Sequence, residues 1–184
     1  MSKEAAIVKF IPIFRQYGYE GTTLSMLSGA SGLGKASLYH HFPKGKEGMA
    51  DAVMDYIAVE FEQTVLQPLK SNDAPIEKLK AMCWGLNKFY AVGKNNCFLA
   101  IMSVGEANNL FQKRVKQRLE TWIETVAEVL IEADIEPAEA RKRSQHSVIE
   151  IQGALVLVRI MNDTSLFEKI TASLPQKMLE KATT

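Results

Sequence analysis

Apolar residues recur every three or four positions along most of the chain, which is the spacing of one face of an α-helix. The first such segment covers 7–17 and stops at Gly18, a residue often found just after a helix. Pro12 lies inside it, and an interior proline removes a backbone hydrogen bond, so this helix is either kinked or starts later than the pattern suggests. No segment alternates apolar and polar residues as strands do, so the sequence predicts an all-α protein.

Two short helices are predicted to follow the first one. Thr22 and Thr23 offer hydroxyl groups that can cap the first of them, which ends before the glycines of 31–34. The second covers about 35–41, and a long helix starts near Lys46 after a proline and a glycine. Two short helices joined by a tight glycine turn are typical of a helix-turn-helix, whose second helix can enter the major groove of DNA.

The rest of the chain is also predicted to be helical. One helix follows Pro75, a buried helix covers 97–110, and a long amphipathic helix covers 111–133. Pro137 opens another helix, whose stretch 148–161 is apolar on nearly all sides. Such a stretch needs cover from its own bundle and from a further element, and a dimer partner is the usual one.

Composition and charge narrow the class of protein. The chain has 184 residues, of which 47% are hydrophobic and 23% charged, as in globular proteins. No apolar stretch approaches the roughly 18 residues of a membrane span, and the first residues lack the layout of a signal peptide. Two cysteines are too few to stabilise a fold of this size by disulfide bonds. We therefore expect a cytoplasmic protein. The net charge is only +1, but residues 1–50 carry six basic against three acidic side chains, so this end can face phosphates.

The second short helix carries side chains suited to DNA. Lys35 at its start can reach phosphate or guanine, and Ser37 can hydrogen-bond a base edge or phosphate. Tyr39 and His40 can donate hydrogen bonds to oxygens of the DNA backbone.

Three stretches of this region resemble the TetR family of bacterial regulators: TTL at 22–24, ASGL at 30–33, and KASLYHHF at 35–42 followed by Lys46 and Glu47. The resemblance implies a three-helix DNA-binding head over 1–47, with its helix-turn-helix at about 23–42. It also implies a helical body over 48–184 that binds a small effector and dimerises, so that a homodimer reads a palindromic operator. The residues that would contact DNA are Thr22, Thr23, Lys35, Ala36, Ser37, Tyr39, His40 and Lys46.

The sequence HHFPKGKE, together with Cys97 and QGAL at 152–155, is similar to the LmrA/YxaF-like branch of that family. The body shows no charge cluster on its helices, which favours a small, mostly hydrophobic effector in an apolar cavity. Each candidate for lining the cavity is equally well explained as a core residue. These candidates are Trp84, Phe89, Cys97, Phe98, Met102 and Trp122.

A nucleotide-binding enzyme is the first competing interpretation. The sequence GASGLGKA at 29–36 comes within one residue of the phosphate-binding loop GxxxxGK[ST], but position 36 is alanine. That loop must also follow a β-strand, and no strand pattern precedes it here. The DNA-binding interpretation is therefore favoured.

Two further interpretations concern other functions. A helical dimer that binds small molecules without DNA would not need the donors Lys35, Ser37, Tyr39 and Lys46, all of which are present. Adjacent histidines such as His40 and His41 point about 100° apart on a helix, so they do not chelate together. No catalytic arrangement or cofactor motif stands out, so we expect neither an enzyme nor a metal site, and no cofactor.

The cysteines leave one alternative open, which is release by a thiol-reactive compound instead of a reversibly bound effector. Lys94 close to Cys97 would favour a reactive thiolate, whereas the apolar run 98–102 disfavours it. Cys83 and Cys97 are otherwise interpreted as small buried hydrophobes. Repressor or activator action is not distinguished by the chemistry of DNA binding.

Overall fold

The computed structural model describes residues 2–180, and no strand occurs among them. The all-α prediction is therefore confirmed. A π-helical turn (Glu62–Leu66) and a 3-10 turn (Gln67–Lys70) follow the fourth helix. The α-helices are α1 (Lys3–Gly21), α2 (Leu24–Ser31), α3 (Lys35–His41), α4 (Gly45–Phe61), α5 (Pro75–Phe89), α6 (Phe98–Ile101), α7 (Gly105–Glu132), α8 (Pro137–Met161) and α9 (Ser165–Leu179).

The described chain forms two compact units. The head unit contains residues up to 59 together with 98–115, and the body unit contains 60–97 together with the residues from 116 onwards. The head unit thus takes in most of α4 and a segment from much later in the chain. None of the helices within 2–180 is long and apolar enough to cross a membrane.

The core of the head unit forms where α1 meets the short helices. Phe10 and Phe14 of α1, Leu27 of α2 and Leu38 of α3 are fully buried. The rings of Phe10 and Phe42 meet edge to face, with centroids 5.7 Å apart. Burial of each such side chain stabilises the fold by roughly 1.5–3 kcal/mol, so these residues hold the short helices in place.

Pro12 lies inside α1, and this helix begins at Lys3, so the later start, one of the two alternatives left open by the sequence, does not occur. The interruption of helical geometry falls instead at Gly18, whose backbone has φ 67° and ψ −172°. Glycine adopts this conformation without steric cost, and α1 resumes for one short turn before Thr22. The predicted bounds of α2 and α3 agree with the structure.

The boundary between α6 and α7 differs from the prediction. The predicted helix over 97–110 is wrong, because α6 stops at Ile101 and α7 begins at Gly105. Apolar spacing continues through this break, so periodicity alone does not reveal it. Gly105 has φ +60°, a left-handed conformation that glycine adopts without steric cost.

The body unit packs α5, α8 and α9 together around a buried face of each. Gly85 of α5 lies directly against the π-helical turn, where a Cβ would come within 2.1 Å of the Thr64 carbonyl oxygen. Asn87 of α5 donates to Thr171 of α9 over 2.8 Å. These contacts fix the relative positions of the helices inside the unit.

Candidate nucleic-acid interface and ligand site

Local hydrogen bonds build the turn between α2 and α3. The Thr23 hydroxyl accepts from the backbone N–H of Met26 over 3.2 Å and so caps α2. At the other end, Gly32 adopts φ 71°, and its N–H donates to the Ser28 carbonyl. Ser31 is buried and donates to the Leu27 carbonyl over 2.7 Å. Helix-turn-helix geometry therefore follows from residues within the motif itself.

The outward face of α3 carries the predicted DNA donors. Only Leu38 of this helix is buried, so the rest of α3 is available to a partner. The major groove is about 12 Å wide and admits one helix, and these side chains match the acceptors of base edges and phosphates. The exposed residues predicted to contact DNA are Thr23, Lys35, Ala36, Ser37, Tyr39 and His40.

Two residues that the resemblance predicts to contact DNA bind instead to groups within the head unit. Thr22 is 1% exposed, and its hydroxyl donates to the Gly18 carbonyl over 2.6 Å. Lys46 is half-buried; its Nζ donates to the Tyr19 carbonyl over 3.0 Å and lies 4.3 Å from the centroid of the Tyr19 ring. The structure thus places Thr22 and Lys46 in contacts that hold the end of α1.

Glu20 anchors the start of α7 within the head unit, a role that the sequence analysis missed. Its carboxylate accepts a short hydrogen bond from the backbone N–H of Glu106. Hydrogen bonds from the backbone N–H groups of Glu20 itself and of Glu106, with Lys46 nearby, hold the pKa of Glu20 below its usual range. A Cβ at position 105 would lie 2.2 Å from the Glu20 carboxylate, so any other residue there would require this flexible side chain to move.

Further contacts join α7 to the rest of the head unit. Arg114 of α7 forms ion pairs with Asp51 and Asp55 of α4. The rings of Tyr19 and Phe111 meet edge to face, with centroids 5.8 Å apart. Asp51 and Asp55 are four residues apart and so lie on one face of α4, where they can share a basic partner. That partner lies too far along the chain to be identified from sequence.

The six candidate cavity residues are divided between the two units. Phe89 and Trp122 belong to one aromatic cluster in the body unit, joined through Phe61. Phe98 packs against Phe14 in the head unit, with centroids 6.5 Å apart, and Met102 is buried in that same unit. Cys97 is buried.

Trp84 lies apart from the aromatic cluster. It is 67% exposed, with Lys88 Nζ 5.6 Å from the centroid of its ring. It lines an open groove of about 340 Å³ between α5 and α9, together with Cys83 and Thr171.

The thiols are buried, which bears on the thiol-reactive alternative. Cys83 and Cys97 are both free and buried. Burial raises the pKa of Cys83 to about 12, so its sulfur is a neutral thiol at pH 7 and a poor nucleophile. Within residues 2–180, no group of three or more histidine, cysteine or acidic side chains is arranged to hold a metal ion.

Helix α8 exposes an apolar stripe on the side opposite its buried face. Val148, Ile151 and Leu155 are buried, whereas Ile149 is 65% exposed and Ile160 is 71% exposed. Gly153 lies on the exposed stripe, where an added Cβ would meet open space. The other apolar members of the stripe are Val156, Leu157 and Met161.

Comparison with known proteins agrees with this geometry. Residues 12–53 match the model of the bacterial regulatory proteins of the tetR family. Residues 75–173, more than half of the chain, match the C-terminal domain of LmrA/YxaF-like transcriptional regulators. A helix-turn-helix head followed by this body defines a DNA-binding transcriptional regulator. The chain belongs to the TetR family, in its LmrA/YxaF-like branch, as the sequence resemblance predicted.

Individual relatives support the same assignment. The uncharacterized regulator YxaF of Bacillus subtilis (strain 168) is 32% identical over 79 residues, which are 43% of this chain and 41% of that protein. The regulator LmrA of the same organism is 21% identical over 178 residues, 95% of each chain. The crystal structure of a TetR transcriptional regulator from Legionella pneumophila superposes with a TM-score of 0.82 at 19% identity, covering 96% of this chain and 97% of that one. At this identity, the structural match supports the fold alone.

Proposed function

We propose that the protein is a repressor that binds a two-fold symmetric operator as a homodimer and leaves it when a small, mostly apolar effector binds in the body unit. The observation that carries this proposal is the outward face of α3, where Lys35, Ser37, Tyr39 and His40 are exposed while Leu38 holds the helix to the core. A protein that bound only small molecules would have no need of this set of donors. Because the target is chromosomal DNA, we place its action in the bacterial cytoplasm.

The exposed stripe of α8 supports the dimer. A contiguous apolar surface of this kind marks a protein interface more often than a solvated face. Isoleucine, valine and leucine side chains flank Gly153, and a glycine lets two helix backbones approach closely. Two head units held through such a stripe can address successive major grooves, which lie about 34 Å apart.

The effector part of the proposal rests on the body unit. Its aromatic cluster is apolar, and an apolar cavity with few polar groups is the common kind of small-molecule site. An effector can release DNA only if it binds better to a form whose two recognition helices no longer fit the operator.

The test is a fluorescence-anisotropy titration of the purified protein against the intergenic DNA upstream of its own gene, with unrelated DNA as competitor. We expect saturable binding by two protomers per site that survives the competitor. The same assay then screens apolar compounds for release of the DNA, and a reporter gene downstream of the operator reads the sign of regulation. Binding no tighter than to competitor DNA at every intergenic region tested would contradict the proposal.

A further inference from the structure

The indole N–H of Trp122 is a buried hydrogen-bond donor without an acceptor. Trp122 lies in the middle of α7 within the body unit and is 1% exposed. None of the groups in residues 2–180 accepts a hydrogen bond from its Nε1 atom. Buried polar groups are almost always paired, and an unpaired one lowers the stability of the fold. The unpaired indole N–H of Trp122 therefore calls for an explanation.

One aromatic ring meets this indole directly, and a second ring packs against the first. The Phe61 ring meets Trp122 edge to face, with centroids 5.0 Å apart and planes at 70°. The Phe89 ring meets Phe61 edge to face as well, with centroids 5.1 Å apart. Phe61 is only half-buried, so it forms the side of the cluster that solvent reaches.

The backbone beside this cluster has an unusual form. Phe61 is directly followed by the π-helical turn Glu62–Leu66, and such turns occur frequently at functional sites. The Thr64 carbonyl of this turn faces Gly85 at a distance that leaves no room for a Cβ. That carbonyl is therefore directed at α5.

We propose that the Trp122 indole N–H donates to an acceptor oxygen or nitrogen of a neutral, planar, largely apolar effector that packs beside Phe61 and Phe89. The ligand is neutral because a charged group would lose its hydration among these rings at high cost. It is planar because aromatic rings stack on or meet the edges of flat molecules most favourably. This inference deepens the proposed effector site and rests on the proposed function.

The test uses a protein in which Trp122 is the sole tryptophan. The exposed Trp84 is replaced (Trp84→Phe), so that a ¹H–¹⁵N spectrum shows a single indole signal. The probes are acetophenone, a planar ketone with one acceptor oxygen, and α-methylstyrene, in which a CH2 group replaces that oxygen, so that the trigonal carbon is kept and the acceptor is lost. We expect acetophenone to move the indole proton to lower field. We also expect it to bind about fivefold more tightly than α-methylstyrene by calorimetry, the gain of one hydrogen bond.

The matched variant is Trp84→Phe/Trp122→Phe, which keeps an aromatic ring but removes the N–H. In this protein we expect the two probes to bind equally. An unmoved indole signal in the single variant, equal affinity for both probes there, a preference that persists in the double variant, or no binding of either probe up to its solubility limit would each overturn the inference. The single variant already tests it if the double variant fails to fold.

The same Trp84→Phe protein is first titrated with operator DNA without any probe. Failure to bind DNA at this stage would count against the proposed function. If DNA binding is normal and the indole signal does not move when acetophenone is added, the inference about Trp122 is overturned and the proposed function stands.

Discussion

The head unit and the body unit expose opposite kinds of helix surface. Helix α3 of the head is polar on its outward face, with Lys35, Ser37 and His40 in solvent, whereas α8 of the body exposes Ile149 and Ile160. A polar face of hydrogen-bond donors suits a charged, hydrated partner such as DNA. An apolar stripe suits another protein surface from which water can be expelled. Under the proposed function, the head unit therefore reads DNA and the body unit forms the dimer.

The largest expected effect comes from a charge placed on the apolar stripe. Ile160→Glu should separate the dimer and raise the operator dissociation constant by roughly 100-fold or more, because the two half-sites would no longer be bound together. Analytical ultracentrifugation and the anisotropy titration measure the two effects. Ile131→Glu, a change at another exposed isoleucine of the body unit, is the control and should leave both unchanged. A fully dimeric Ile160→Glu protein would exclude this stripe as the interface.

The second effect concerns the anchoring of α7 in the head unit. Gly105→Ala should lower the free energy of unfolding by about 1–3 kcal/mol, because alanine is strained at positive φ and its Cβ would displace the Glu20 carboxylate. Urea denaturation measures the change. Gly29→Ala, in an open helical position of the same unit, should instead be neutral or stabilise by up to about 1 kcal/mol. Equal stability of the two variants would show that the Glu20 contact does not constrain position 105.

The third effect separates two lysines of the head unit by the salt dependence of DNA binding. Lys35→Ala should reduce the slope of log affinity against log salt by about one and alter sequence preference, because Lys35 is exposed on α3. Lys46→Ala should leave the slope unchanged, because its ammonium group is held by the Tyr19 carbonyl. A reduced slope for Lys46→Ala would show instead that Lys46 contacts a DNA phosphate.

The smallest effect is a pH dependence of stability that comes from Glu20. Because the fold lowers the pKa of this carboxyl, the stability supplied by its charged form is present above the ordinary value of 4.5 and is lost as the pH falls toward the lower value. Glu20→Gln should therefore flatten the dependence of unfolding free energy on pH below about 4.5. Glu128→Gln, an exposed change in the body unit, serves as the control. Parallel pH profiles for the wild type and Glu20→Gln would contradict the role of this carboxylate.

The sequence predicts the helix-turn-helix well because its determinants are local. The Thr23 cap, the Gly32 turn and the buried Leu38 all lie within one short segment, so spacing and residue type are enough. The start of α7 is different, because its backbone is held by a hydrogen bond to Glu20, a residue far away along the chain. Periodicity carries no information about such a contact.

The aromatic cluster of the body unit is less predictable from sequence for a related reason. Aromatic residues in a helical body look alike in sequence whether they are exposed, as Trp84 is, or buried, as Trp122 is. Phe61 joins Phe89 to Trp122, yet its position gave no signal, because it lies at the end of a helix that the pattern describes as ordinary. Which aromatic rings meet depends on tertiary packing alone.

The recognition helix α3 is attached to the core through Leu38, while its neighbours face outward. The residues proposed to read DNA can therefore be exchanged with little effect on folding. Duplicated copies of such a gene can then diverge toward new promoters while keeping their response to the same compound. For the same reason, this short segment is a convenient place to redirect a biosensor without rebuilding its sensing half.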